Sequence, residues 1–154
     1  MDIRPCLCCV CLFALPLPPL AAQANVLTYH NDIARTAQNL AETILTTGNI
    51  NSATFGKLFQ IILDGVVDAQ PLYVAQIAIP NQGTHNVLVV ATENDSLYAL
   101  DADTGSQFWK VALLAAGETP SDDRNCASVS PEIGITSTPV VAYEAGASEG
   151  ASSR

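Results

Sequence analysis

The fold is decided by Val87-Leu88-Val89-Val90-Ala91-Thr92-Glu93-Asn94-Asp95-Ser96-Leu97-Tyr98-Ala99-Leu100-Asp101-Ala102-Asp103-Thr104-Gly105-Ser106-Gln107-Phe108-Trp109-Lys110-Val111. It holds three short apolar runs: 87–91, 97–100, and a third that opens at Phe108 and continues to Leu113. Between them stand Glu93-Asn94-Asp95-Ser96 and Asp101-Ala102-Asp103-Thr104-Gly105, both rich in turn-forming residues. Runs that are apolar on both faces read as strands covered on both sides. Parallel strands would need crossovers of a dozen or more residues, and connections this short permit only hairpins. The pattern predicts an antiparallel meander buried on both faces.

Working outward, Gln70-Pro71-Leu72-Tyr73-Val74 supplies a fourth strand, joined through the loop Pro80-Asn81-Gln82-Gly83-Thr84-His85. The unit from Gln70 to Val111 spans about 42 residues, the length of one four-stranded propeller blade. Thr138-Pro139-Val140-Val141 echoes Gln70-Pro71-Leu72-Tyr73 and reads as the first strand of a next blade at 137–141. Upstream, residues 57–63 read as a strand without hairpin partners, suited to the outer strand that closes a ring. The expected class is all-β: a fragment of a β-propeller, about one antiparallel blade with flanking strands.

The repeat at 87–111 resembles the pyrroloquinoline quinone (PQQ)-like propeller family. Leu97-Tyr98-Ala99-Leu100-Asp101, then Thr104-Gly105, then Trp109 carry the likeness. The stretch from Leu27-Thr28-Tyr29-His30-Asn31-Asp32 to Asn49-Ile50-Asn51, followed by Leu58-Phe59, is similar to the lead-in of quinoprotein dehydrogenases and related secreted propellers. The resemblance covers residues 26–141 and implies the fold more than an activity, since many family members bind no quinone. It implies either a non-catalytic secreted propeller presenting loops to a protein or polysaccharide, or the N-terminal part of a PQQ-dependent dehydrogenase. The latter would hold calcium and PQQ in the central channel beside a catalytic Asp. Phe59, where the dehydrogenase lead-in commonly has Trp, favours the first.

Residues 1–24 read as a signal peptide. Arg4 gives a short positive start, Cys6 to Leu15 an apolar core, and Ala22-Gln23-Ala24 a cleavage site, so the chain is expected to be secreted or periplasmic. That core is too short to span a bilayer, and no membrane span is expected after cleavage. Four of the five cysteines, Cys6, Cys8, Cys9 and Cys11, fall inside this segment, where Cys serves as a small apolar residue. Cys126 then stands without a partner in an oxidising compartment. The 154 residues carry a net charge of −9, which excludes a phosphate-tracking nucleic-acid binder.

The mature chain divides into a lead-in at 25–56, propeller segments at 57–141 and an off-pattern or disordered tail at 142–154. The remaining blades are expected as partners from outside these residues. The loop 112–134 is long for a compact fold and therefore a functional candidate. Alternating strand direction brings it to the same end as 93–95. Glu93, Asp95, Asp122, Asp123 and Glu132 are the candidate calcium ligands there, because clustered carboxylates suit that hard ion.

Asp101, Thr104 and Gly105 read as a structural turn with positive φ at the glycine. An EF-hand-like loop would need a ligand, Gly and Glu where Gly105, Ser106 and Ala112 stand. Trp109 reads as packing between blades. The two histidines, His30 and His85, fall in predicted loops, and no Cys, Asp or Ser spacing supports either as ligand or base.

Overall fold

A computed structural model describes residues 24–40, 42–125 and 127–142. The expected signal peptide except for Ala24, as well as Cys126 and all of the tail but residue 142, lies outside the described residues. Those described form no helix, and none is long and apolar enough to cross a membrane. The centre is a four-stranded antiparallel sheet in the order β1 (Leu72–Ile79), β2 (Gly83–Ala91), β3 (Ser96–Asp101), β4 (Gln107–Ala112). The predicted meander is therefore present.

The first hairpin is tighter than its composition suggested. Gln82 N donates to Ile79 O at 3.0 Å, and Asn81 takes φ 62°. Pro80 before a left-handed Asn is the pattern of a type II turn. The strands thus run on to Ile79 and from Gly83, where a six-residue loop was predicted. Within β1 a bulge falls between Val74 and Ile77, with Gln76 at φ 53°. The Asn86 side chain repairs the ladder there, its Oδ1 accepting from Gln76 N and Nε2, both at 3.2 Å.

Cross-strand partners share a face. Leu88 opposite Leu100 and Val90 opposite Tyr98 form one face; Val74 opposite Val87, and Val89, Ala99 and Trp109, form the other. The first face is covered by residues 57–68. Ile61 and Leu63 pack on the buried cluster Val90, Tyr98 and Leu100. Residues 57–63, expected as a strand without hairpin partners in this chain, form no ladder among the described residues. Their alternate apolar residues lie across the sheet's face instead of pairing along its edge. The other face is only partly covered, and β4 is largely exposed, with Trp109 at 44%.

The lead-in joins the outer edge of β1, where Val26 and Tyr73 exchange two backbone hydrogen bonds at 2.8 and 2.9 Å. The first strand of a next blade, expected at 137–141, has no strand partner among the described residues. Instead Val141 N donates to Leu27 O while Gln70 N donates to Thr138 Oγ1, both at 2.9 Å. The loop 112–134 is not wholly irregular. It holds a small second sheet, β5 (Ser121–Asp122) against β6 (Glu132–Ile133).

Candidate functional site

The turn between β2 and β3 is polar, yet Thr92, Glu93 and Ser96 are buried. Two segments close over it. From one side comes Asp64, placed by residues 57–68 as they leave the apolar face. Its Oδ1 accepts from Thr92 Oγ1 at 3.1 Å; its Oδ2 accepts from Ser96 Oγ at 2.6 Å and Asn94 Nδ2 at 2.9 Å. Lys110 Nζ of β4 completes the set with an ion pair at 2.6 Å and sits 5.4 Å from the Tyr98 ring centre. Burial pushes the Asp64 carboxyl up, but the bonds from Lys110, Ser96 and Asn94 outweigh it and hold the group far below the usual carboxylate range. Asp64 also raises Lys110. This is an organising knot for the turn.

From the other side comes the segment after β6. Glu93 is 1% exposed. Its Oε2 accepts from Gly134 N at 2.6 Å and from Thr136 Oγ1 at 3.0 Å. Its Oε1 is buried with no partner among the described residues. Leu113 N donates to Asp95 O at 2.9 Å. The 93–95 turn and both ends of the long connection therefore meet at one end of the sheet.

The five candidate carboxylates do not converge. Asp122 and Glu132 are paired across β5–β6, but Asp122 forms an exposed ion pair with Arg124 at 2.7 Å. Asp123 accepts from Asn125 N at 3.0 Å and Ser130 Oγ at 3.1 Å. Among the described residues no group of three or more His, Cys, Asp or Glu is arranged to hold a metal ion.

The opposite end carries the Asp101 turn. Asp101 Oδ1 accepts from Asp103 N at 2.9 Å and Thr104 N at 2.8 Å, and Gly105 takes φ 78° against Phe59 and Ile61. Asp101 Oδ2 meets His85 Nδ1 at 2.7 Å, while His85 Nε2 lies 2.9 Å from Gln82 O. Both ring nitrogens thus face acceptors, an arrangement only the imidazolium satisfies fully. The Gln82 carbonyl, then Asp101, raise His85. Burial pushes Asp101 up, but bonds from His85 and Thr104 bring it below its ordinary value. With both nitrogens occupied, the pair is a clasp and has no free nitrogen for proton transfer.

Sequence reading found no partner for His85, yet the signal was present. Continuing the register from Val87 opposite Asp101 carries His85 to the Asp101–Asp103 turn. Asp64 was missed because it lies outside the meander, although Asp64-Gly65 after an apolar run marks a turn. His30 stacks on Tyr29 with ring centres 3.8 Å apart, and its backbone N donates to Gln70 Oε1 at 3.0 Å. Trp109 and Phe108 border an apolar hollow of about 440 Å3 with Val74, Val87, Val89 and Val141. Comparison with protein-family models, with curated proteins and with solved structures finds no match for this chain.

Proposed function

We propose that this chain is an exported PQQ-like propeller repeat unit that serves as a non-catalytic binding scaffold. The observation that carries the reading is the half-covered sheet. On its second face Val74 and Val87 are buried, but beside the apolar hollow Trp109 and Val111 of β4 are 44% and 46% exposed, and a second layer would cover them. A neighbouring repeat of the same kind would supply one, as propeller blades do for each other. The scaffold reading is supported by the use the chain makes of its polar groups. Asp64 is engaged with Lys110 and His85 with Asp101, so these two acid–base pairs hold loops in place and are not free for proton transfer.

Export is tested by N-terminal sequencing of the secreted material, which should begin at Asn25. Function is tested by calorimetric titration with PQQ in the presence of calcium. A scaffold gives no heat beyond dilution. Stoichiometric PQQ uptake with dye-linked dehydrogenase activity would replace this reading with the quinoprotein one.

A further inference from the structure

Behind the Glu93 contact lies a polar recess of about 400 Å3, lined by Tyr29, Asp68, Thr136, Ser137 and Thr138. Its hydroxyls are not free rotors of equal character. Thr136 spends its proton on Glu93 Oε2 at 3.0 Å, so its oxygen remains as an acceptor. Thr138 accepts from Gln70 N at 2.9 Å, so its proton remains to donate. The Ser137 and Tyr29 hydroxyls and the Asp68 carboxylate carry no hydrogen bond among the described residues. Tyr29 is nonetheless held in place, stacked on His30 and 5.8 Å from the Arg35 guanidinium.

The recess therefore offers a fixed acceptor, a fixed donor, two groups able to do either, and a carboxylate. A ligand that matches must both give and accept hydrogen bonds through several closely spaced groups, which describes vicinal hydroxyls. Anions are disfavoured by Asp68 and by a lining without Lys or Arg. A hard divalent cation would want six to eight oxygen ligands with more than one carboxylate, and only Asp68 is charged here. We propose that this recess binds a neutral saccharide unit, with Asp68 and Ser137 as the principal contacts. The proposal rests on the binding-scaffold reading and narrows it to a ligand class.

The test uses the full chain with cellotetraose, xylotetraose and mannotetraose as probes. Saturation-transfer NMR detects binding and calorimetry measures it. At least one probe should bind, and Ser137→Ala and Asp68→Asn should each weaken it roughly tenfold, the size of one lost hydrogen bond to a ligand. Both positions are exposed and without hydrogen bonds, so these variants should fold normally. Arg124→Ala, in the connection between β5 and β6, should bind as the wild type does. No transfer to any probe overturns the site, as does affinity unchanged in both variants. The PQQ titration reports separately. Saccharide binding together with PQQ uptake keeps this site and removes the scaffold reading, whereas neither binding removes the site alone.

Discussion

Glu93 and Gly134 are joined twice, by the 2.6 Å bond from the Gly134 amide to Glu93 Oε2 and by an approach so close that a Cβ on Gly134 would fall 2.1 Å from Glu93 O. The contact ties the β2–β3 turn to the segment after β6. Gly134→Ala therefore cannot be absorbed by a side chain, since the obstructing atom is backbone. It should lower stability by about 3 kcal/mol, read as a lower urea midpoint. Glu93→Ala should lose about 2 kcal/mol by stranding the Gly134 amide and Thr136 hydroxyl. Glu93→Gln keeps an acceptor for both and should lie near wild type. A fully stable Gly134→Ala would mean that the two segments do not meet.

His85 gives the opposite end a pH response with two limbs. Its folded pKa is raised by Gln82 O and Asp101, so its contribution is complete below the unfolded value near 6.5 and is lost as pH rises through the folded one. Asp101 is lowered by His85 and the turn amides acting against burial. Its contribution is complete above about 3.9 and is lost as pH falls through the folded value. The clasp should be strongest between those limits. Urea midpoints measured across mildly alkaline pH should fall for wild type and stay flat for His85→Gln. Parallel profiles would remove the clasp.

The meander was legible because each of its strands is an unbroken apolar run between turn compositions, and hairpin lengths left one arrangement. What covers the meander was not. Residues 57–63 have a strand's apolar composition, but composition does not distinguish a segment pairing along an edge from one lying across a face. In this chain Ile61 and Leu63 lie across the face, with the Val90–Tyr98–Leu100 cluster as their partner. The contact of residues 137–141 was equally hidden, since they bond Leu27 in the lead-in, beside the Val26 bridge to β1. At the candidate site, acidity was visible and its use was not. Arg124 and Ser130 engage the carboxylates that composition alone grouped as a calcium face.

Asp64 should make the fold sensitive to acid through one residue. Its pKa is held far down by Lys110, Ser96 and Asn94 against the effect of burial. The stability it adds is present above the unfolded value near 3.9 and drains away as pH falls toward the folded one. Asp64→Asn loses the ion pair and should destabilise by about 2 kcal/mol at neutral pH, with a much flatter decline below pH 4. Lys110→Met, which removes only the cation, should show a smaller loss, because three neutral donors stay on the carboxylate. Equal acid sensitivity in wild type and Asp64→Asn would show that other carboxylates govern unfolding.

Trp109 is the sharpest reporter of the proposed second layer. It is the one tryptophan in the sequence and stands on the edge strand, 44% exposed, beside the apolar hollow. In the isolated 25–154 chain its emission should be red-shifted and freely quenched by acrylamide, and Trp109→Ala should cost about 1 kcal/mol, well short of a core deletion. Where a neighbouring repeat covers that face, the same indole is enclosed. Protein recovered from the exported fraction should then emit further to the blue and resist quenching, and Trp109→Ala there should cost roughly 3–5 kcal/mol. The comparison isolates the packing question from the ligand question, because Trp109 does not line the polar recess. Equal quenching in both preparations would leave the hollow face without its layer, and the propeller reading would fall with it.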